Sequence, residues 1–110
     1  MIIVEFFKGS DKVTAGFCVK GHSGMSEAGT DIVCAAVSSA VYLTANTITD
    51  VLMLTPDVEV RDGFLRLVFR TKADALKAKV LTDGLELHLK GLEEDYPKNV
   101  KVKYGGVQNA

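Results

Sequence analysis

The stretch from Val13 to Leu52, VTAGFCVKGHSGMSEAGTDIVCAAVSSAVYLTANTITDVL, changes its hydrophobic period once, and that change decides the fold. From Val13 to Lys20 the residues alternate. Val13, Ala15, Phe17 and Val19 fall on one side, and Thr14, Gly16, Cys18 and Lys20 on the other. That is the period of a half-buried strand. Gly21 to Thr30 follows, rich in glycine and serine, and reads as a loop. From Asp31 the spacing becomes helical: Ile32, Val33, Ala36, Val37, Ala40, Val41, Ala45, Ile48 and Leu52 recur, with no Gly or Pro before Pro56. Thr30 or Asp31 is the expected N-cap. The helix is small and apolar around much of its circumference, so it belongs deep in the fold.

Upstream, Ile2 to Phe7 is an apolar run ended by the turn cluster Gly9-Ser10-Asp11. With Val13–Lys20 it suggests a β-hairpin. Downstream, Asp57 to Arg70 reads as two strands around Arg61-Asp62-Gly63, a second hairpin. Thr71 to Glu94 predicts another helix through Ala73, Leu76, Val80, Leu81, Leu85, Leu89 and Leu92, with Gly84 inside it at a modest propensity cost. Asp95-Tyr96-Pro97 ends that helix, Val100–Tyr104 alternates as a last strand, and the tail after it reads as frayed. The order β-β-α-β-β-α-β predicts an α+β fold: a two-layer sandwich with a mostly antiparallel sheet of about five strands and two helices on one face. The alternation places polar side chains on the uncovered face. Tyr42, Leu43, Leu87 and Leu89 are expected outside the core-facing stripes of the helices, as surface for a homodimer.

Composition bounds the function. The 110 residues are 47% hydrophobic and 25% charged, as in one folded domain spanning 1–110. Thirteen Lys+Arg against 14 Asp+Glu give a net charge of -1, with no global positive excess to hold nucleic acid or an anionic membrane. The N-terminal apolar run lacks a basic region before it and reads as a strand, not a targeting signal. No apolar run approaches the roughly 20 residues of a membrane span. The expected location is the cytoplasm, where Cys18 and Cys34 would be free thiols.

Two histidines and two cysteines hold the candidate chemistry. A nucleophilic thiol needs a base or a field that favours thiolate. With a cap at Thr30 or Asp31, Cys34 falls in the first helical turn, near the positive end of the helix dipole. His22 lies at the exit of the preceding strand, where the glycine loop can fold it back beside the helix start. Asp31 and Ser38 stand three before and four after Cys34, on the same helix face. Each residue also has an ordinary reading: Cys34 as a small buried hydrophobe, Asp31 as a cap, Ser38 bonded to a backbone carbonyl, His22 as a turn residue. Cys18, in a strand without a nearby base, reads as packing, and His88 as a core-edge or interface residue. Two soft ligands do not fill a metal site, so no metal and no cofactor are expected.

The run Gly21-His22-Ser23-Gly24, then Gly29-Thr30-Asp31-Ile32-Val33-Cys34-Ala35-Ala36-Val37-Ser38, resembles the ribosomal-processing cysteine protease family, Prp. Length, element order and motif position fit it over essentially the whole chain. The resemblance implies a Cys-His dyad of Cys34 as nucleophile and His22 as its base. Asp31 and Ser38 would support them, and the glycine-rich loop with Gly21, Gly24 and Gly29 would gate the site. It further implies a homodimer. The implied substrate is a ribosomal protein precursor, the large-subunit protein numbered twenty-seven, whose N-terminal extension is cut after a Phe-Phe pair and before Ala. The alternative is a non-enzymatic, ribosome-associated or protein-binding module in which His22 and Cys34 only stabilise the loop.

Overall fold

The computed structural model describes residues 1–21 and 28–106, with no account of the side chains of residues 28–31. The expected hairpins both form. Strands β1 (Ile2–Lys8) and β2 (Thr14–Lys20) pair antiparallel, as do β3 (Asp57–Arg61) and β4 (Phe64–Val68). Strand β5 (Val100–Gly106) lies parallel to β1, and the five-stranded sheet runs β3-β4-β2-β1-β5. The fold is therefore α+β with one parallel pair in an otherwise antiparallel sheet. Gly105 and Gly106, read from sequence as tail, continue the strand beside Phe7 and Lys8.

The alternation read in β2 holds. Phe17 sits opposite Phe6 and Leu67, and Val19 opposite Val4 and Leu65, so these residues share the face that the helices cover. Phe6, Phe17, Leu67 and Val4 are fully buried there. On the other face the row Lys103, Glu5, Cys18, Arg66 and Glu59 crosses all five strands. Arg66 lies over the ring of Phe7, so the polar surface also shields apolar groups beneath it.

The first helix, α1 (Ala28–Asn46), starts earlier than its expected cap at Thr30 or Asp31. Gly29, expected in the loop gate, falls inside its first turn. Val33, Val37, Val41 and Ala45 form its buried stripe. A π-helical turn, Thr47–Val51, continues it. Thr44, Thr47 and Thr49 each donate a hydroxyl hydrogen bond to the carbonyl four residues back, at 2.9, 2.7 and 3.2 Å. Such back-bonding competes with the regular ladder and accompanies the widened turn. By length and composition Ile32–Val51 would suffice to cross a bilayer, at mean hydropathy 1.5, although no single apolar run in it does. Much of that apolar character is spent in the core, on Val33, Val37, Val41, Ala45 and Ile48.

The second expected helix is two. Thr71 caps α2 (Lys72–Lys77) by accepting from the Asp74 N–H, and α3 (Lys79–Asp95) follows after Ala78, at φ -100° and ψ 8°. The break lets α2 meet β2 while α3 packs against α1 and β5. Leu89 is fully buried, which corrects its expected place on an outer helix surface; Tyr42, Leu43 and Leu87 are exposed as expected. At the outer end of the sheet, Glu86 accepts from Lys8 at 2.8 Å and from the Tyr104 hydroxyl at 2.6 Å. Burial, followed by the Glu86 contact, pushes the Tyr104 phenol up to about 12.

Gly84 stands mid-helix in α3 with nothing within 4 Å of where a Cβ would lie. Gly84→Ala is expected to raise unfolding stability by about 0.5–1 kcal/mol through the loss of unfolded-state freedom. Chemical denaturation of the two proteins checks this, and a lower midpoint for the variant would contradict it.

Candidate active site

The helix stripe that enters the core also fixes what stands beside it. With Val33, Val37 and Val41 turned to the sheet, Cys34 and Ser38 are half-buried at the flank of α1. Tyr42 is one helical step further along that flank. The opposite wall is the tip of the β3–β4 hairpin. Between them lies a cleft of about 230 Å³, lined by Cys34, Ser38 and Tyr42 on the helix and by residues 61–65 on the hairpin, with Val19 and Gly21 at its base. Val19, Val41 and Leu65 make much of it apolar, and Arg61, Asp62, Gly63 and Phe64 of the hairpin tip complete the lining. The Arg61 guanidinium lies over the Phe64 ring, 3.8 Å from its centroid, and so helps hold the tip in shape.

Gly21 ties the strand exit to that hairpin. Its N–H donates to the Gly63 carbonyl at 2.9 Å. Its φ is +90°, and a Cβ there would run into the Met1 carbonyl oxygen, so both conformation and space require glycine. The segment that bears His22 therefore leaves from a fixed point on the cleft wall. His22 and Gly24 themselves lie outside the described residues. Asp31 is in the first turn of α1, and its side chain likewise lies outside the description.

One expectation about Cys34 changes. With α1 running from Ala28, Cys34 is in the second turn, not the first. The helix N–H groups without an intrahelical acceptor belong to the turn before it. The residues that sequence reading missed are those of the far wall. Tyr42 was legible in principle, since it stands two four-residue steps from Cys34. The hairpin wall was not, because it depends on which strand lies beside β2.

The other cysteine and histidine are set apart. Cys18 is buried on the face of the sheet away from the helices, between Glu5 and Arg66. Burial pushes its thiol above the ordinary value, and the cations Lys20 and Arg66 only partly oppose this. His88 is exposed and lines a groove of about 400 Å³ between α1 and α3, with Ala36, Ala40 and Leu43 on the helix face turned from Cys34. Among the described residues no group of three or more His, Cys, Asp or Glu is arranged to hold a metal ion.

This geometry predicts unequal thiols. A small alkylating reagent at neutral pH should modify Cys34 roughly ten times faster than Cys18 or more, because only Cys34 opens on a cleft and burial holds Cys18 protonated. Mass spectrometry of proteolytic fragments reads the rates, and equal labelling of the two cysteines would contradict the assignment.

Comparison with known proteins places the fold in a family. The family model for cysteine protease Prp matches residues 1–101. The ribosomal processing cysteine protease Prp of Bacillus subtilis is 28% identical over 107 residues, spanning 93% of this chain and 96% of that protein. A crystal structure of the essential ribosomal processing protease Prp from S. aureus with a covalently linked product peptide superposes with a TM-score of 0.81 at 26% identity, over 94% of this chain and 99% of that one. The same enzyme with a substrate peptide gives a TM-score of 0.84 at 24% identity, with the same coverage. The chain belongs to the Prp family of ribosomal processing cysteine proteases.

Proposed function

We propose that the protein is an endopeptidase acting through a Cys34–His22 dyad. The observation that carries this reading is the cleft: Cys34 and Ser38 open onto it, and Gly21, the residue before His22, is bonded to its far wall. His22 takes the proton of the Cys34 thiol, and the thiolate sulfur attacks the scissile carbonyl carbon. The oxyanion requires backbone N–H donors, and the first turn of α1 offers the unpaired ones. The imidazolium returns its proton to the leaving amine as the C–N bond breaks. Water, deprotonated by the same histidine, then attacks the thioester and frees the thiol. Asp31 and Ser38 support the pair from the same helix. The covalently linked product peptide seen on the S. aureus relative is what a nucleophilic mechanism would leave.

The substrate in this reading is the N-terminal extension of the large-subunit ribosomal protein numbered twenty-seven, cut after Phe-Phe and before Ala. The apolar lining of Val19, Val41 and Leu65 in the cleft suits aromatic side chains. The enzyme works in the cytoplasm as a homodimer, without metal or cofactor. Its partner is a polypeptide and not nucleic acid or membrane, in keeping with a net charge of -1. Exposed Tyr42, Leu43 and Leu87, at 46%, 69% and 76%, supply apolar helix surface for the second copy.

The test is incubation with a peptide spanning the extension, read by mass spectrometry. Cys34→Ala, Cys34→Ser and His22→Ala should fold and not cleave, while Cys18→Ala and His88→Ala keep most activity. Replacing one Phe before the cut by Ala should slow cleavage about ten- to a hundredfold, since burying a Phe is worth roughly 1.5–3 kcal/mol. Normal cleavage by Cys34→Ala would overturn the mechanism. No cleavage by the unmodified protein, with sluggish labelling of Cys34, would instead favour the binding-module reading.

A further inference from the structure

The two edges of the sheet are treated differently. At the β5 edge the outward N–H of Val102 donates to the Glu93 carboxylate of α3 at 3.1 Å, so a side chain occupies a position where another strand would bond. At the β3 edge nothing comparable stands among the described residues. Arg61 and Phe64 close a two-residue loop and are a bonded pair, as Glu59 and Arg66 are one step further on. The residues between them, Val60 and Val58, therefore turn their N–H and C=O groups outward, away from β4. Their side chains lie on the helix face of the sheet, beyond the cover of α1, and are 53% and 45% exposed. Asp57, Glu59 and Arg61 point to the opposite face, where Arg70 pairs with Asp57 and Arg61 with Glu59. The result is an apolar strip with an open row of backbone donors and acceptors. It runs without interruption into residues 61–65, which form the wall of the Cys34 cleft.

We propose that this edge binds the polypeptide substrate as an added strand, taking the segment on the amino side of the cut. The inference rests on the protease reading above and extends it to how the chain is held. An unstructured extension offers what the edge lacks: a second row of N–H and C=O groups in extended form, with apolar side chains to cover Val58 and Val60. The segment runs from the Asp57 end toward Arg61, parallel to β3, before its last residues enter the cleft. Backbone bonds give affinity that depends little on side chains, and the cleft supplies the choice of residues beside the cut. Alternate side chains of the bound segment face the valines, and the others face solvent.

The experiment is a scan of the peptide spanning the extension, in which each backbone nitrogen before the cut is methylated in turn. The expected result is a period of two: methylation at every second residue raises KM about tenfold or more, and the intervening positions change it little. Val60→Pro removes one outward N–H at a position where an edge strand tolerates proline, and should raise KM for the long peptide. The same variant should raise KM for a short peptide beginning at the Phe-Phe pair at least fivefold less than for the long one, and an equal rise for both would count against the proposal. A methylation scan without alternation in the unmodified enzyme would overturn the proposal while leaving the protease reading intact, and it does not depend on the variant's folding. A dimer that dissociates in Val60→Pro would also overturn it, since the edge would then be occupied by a second copy. Absence of cleavage of every peptide would instead remove the protease reading itself.

Discussion

The packing of one face of α1 against the sheet sets everything else in this molecule. Val33, Val37 and Val41 are each at most 2% exposed, and they meet a sheet face built of Val4, Phe6, Phe17 and Leu67. Each such burial is worth roughly 1.5–3 kcal/mol, so rotating the helix would cost far more than any polar contact on its flank could return. Cys34 follows Val33 by one residue and is thereby held a quarter-turn from the core. Ser38 and Tyr42 repeat that position up the helix. The site is thus a by-product of core packing, placed where the core stripe stops and the hairpin begins.

The same logic separates Cys34 from the other cysteine and from His88. Cys18 also neighbours a core residue, Phe17, but in a strand the next side chain points to the other face of the sheet. It is therefore buried away from any cleft, and its thiol is pushed up by that burial. His88 precedes fully buried Leu89 on α3, and it opens on the groove behind α1. Two helices and one sheet, each with its own period, assign Cys34, Cys18 and His88 to three different surroundings.

Much of this was legible because period is a local property. Alternation in Val13–Lys20 identified the faces of β2 correctly, and the Arg61-Asp62-Gly63 turn marked the second hairpin. Cys34 and Ser38 were legible as neighbours from their four-residue spacing alone. What was not legible depended on contacts distant in sequence. No pattern within Val100–Gly106 says that its partner is β1 and that it runs parallel. The break at Ala78 follows from two helices meeting different parts of the sheet, and helical periodicity passes through it undisturbed. Leu89 was misplaced for the same reason, because the break resets which side of α3 faces inward. Gly29 in a helical turn contradicts glycine's weak propensity, which context overrode. The far wall of the cleft required the order β3-β4-β2, a fact of the sheet and not of any one strand.

The central claim is that Cys34, at the flank of that helix, forms a covalent bond to the substrate carbonyl. Rapid mixing of enzyme with the extension peptide, acid quench within the first turnover and intact-mass spectrometry tests it directly. The account predicts a transient adduct whose added mass equals the fragment on the amino side of the cut less one water, localised by fragmentation to Cys34 and absent from Cys34→Ser at the same times. Product formation with no adduct at any quench time under conditions where deacylation is slowed, or an adduct localised to Cys18, would contradict it.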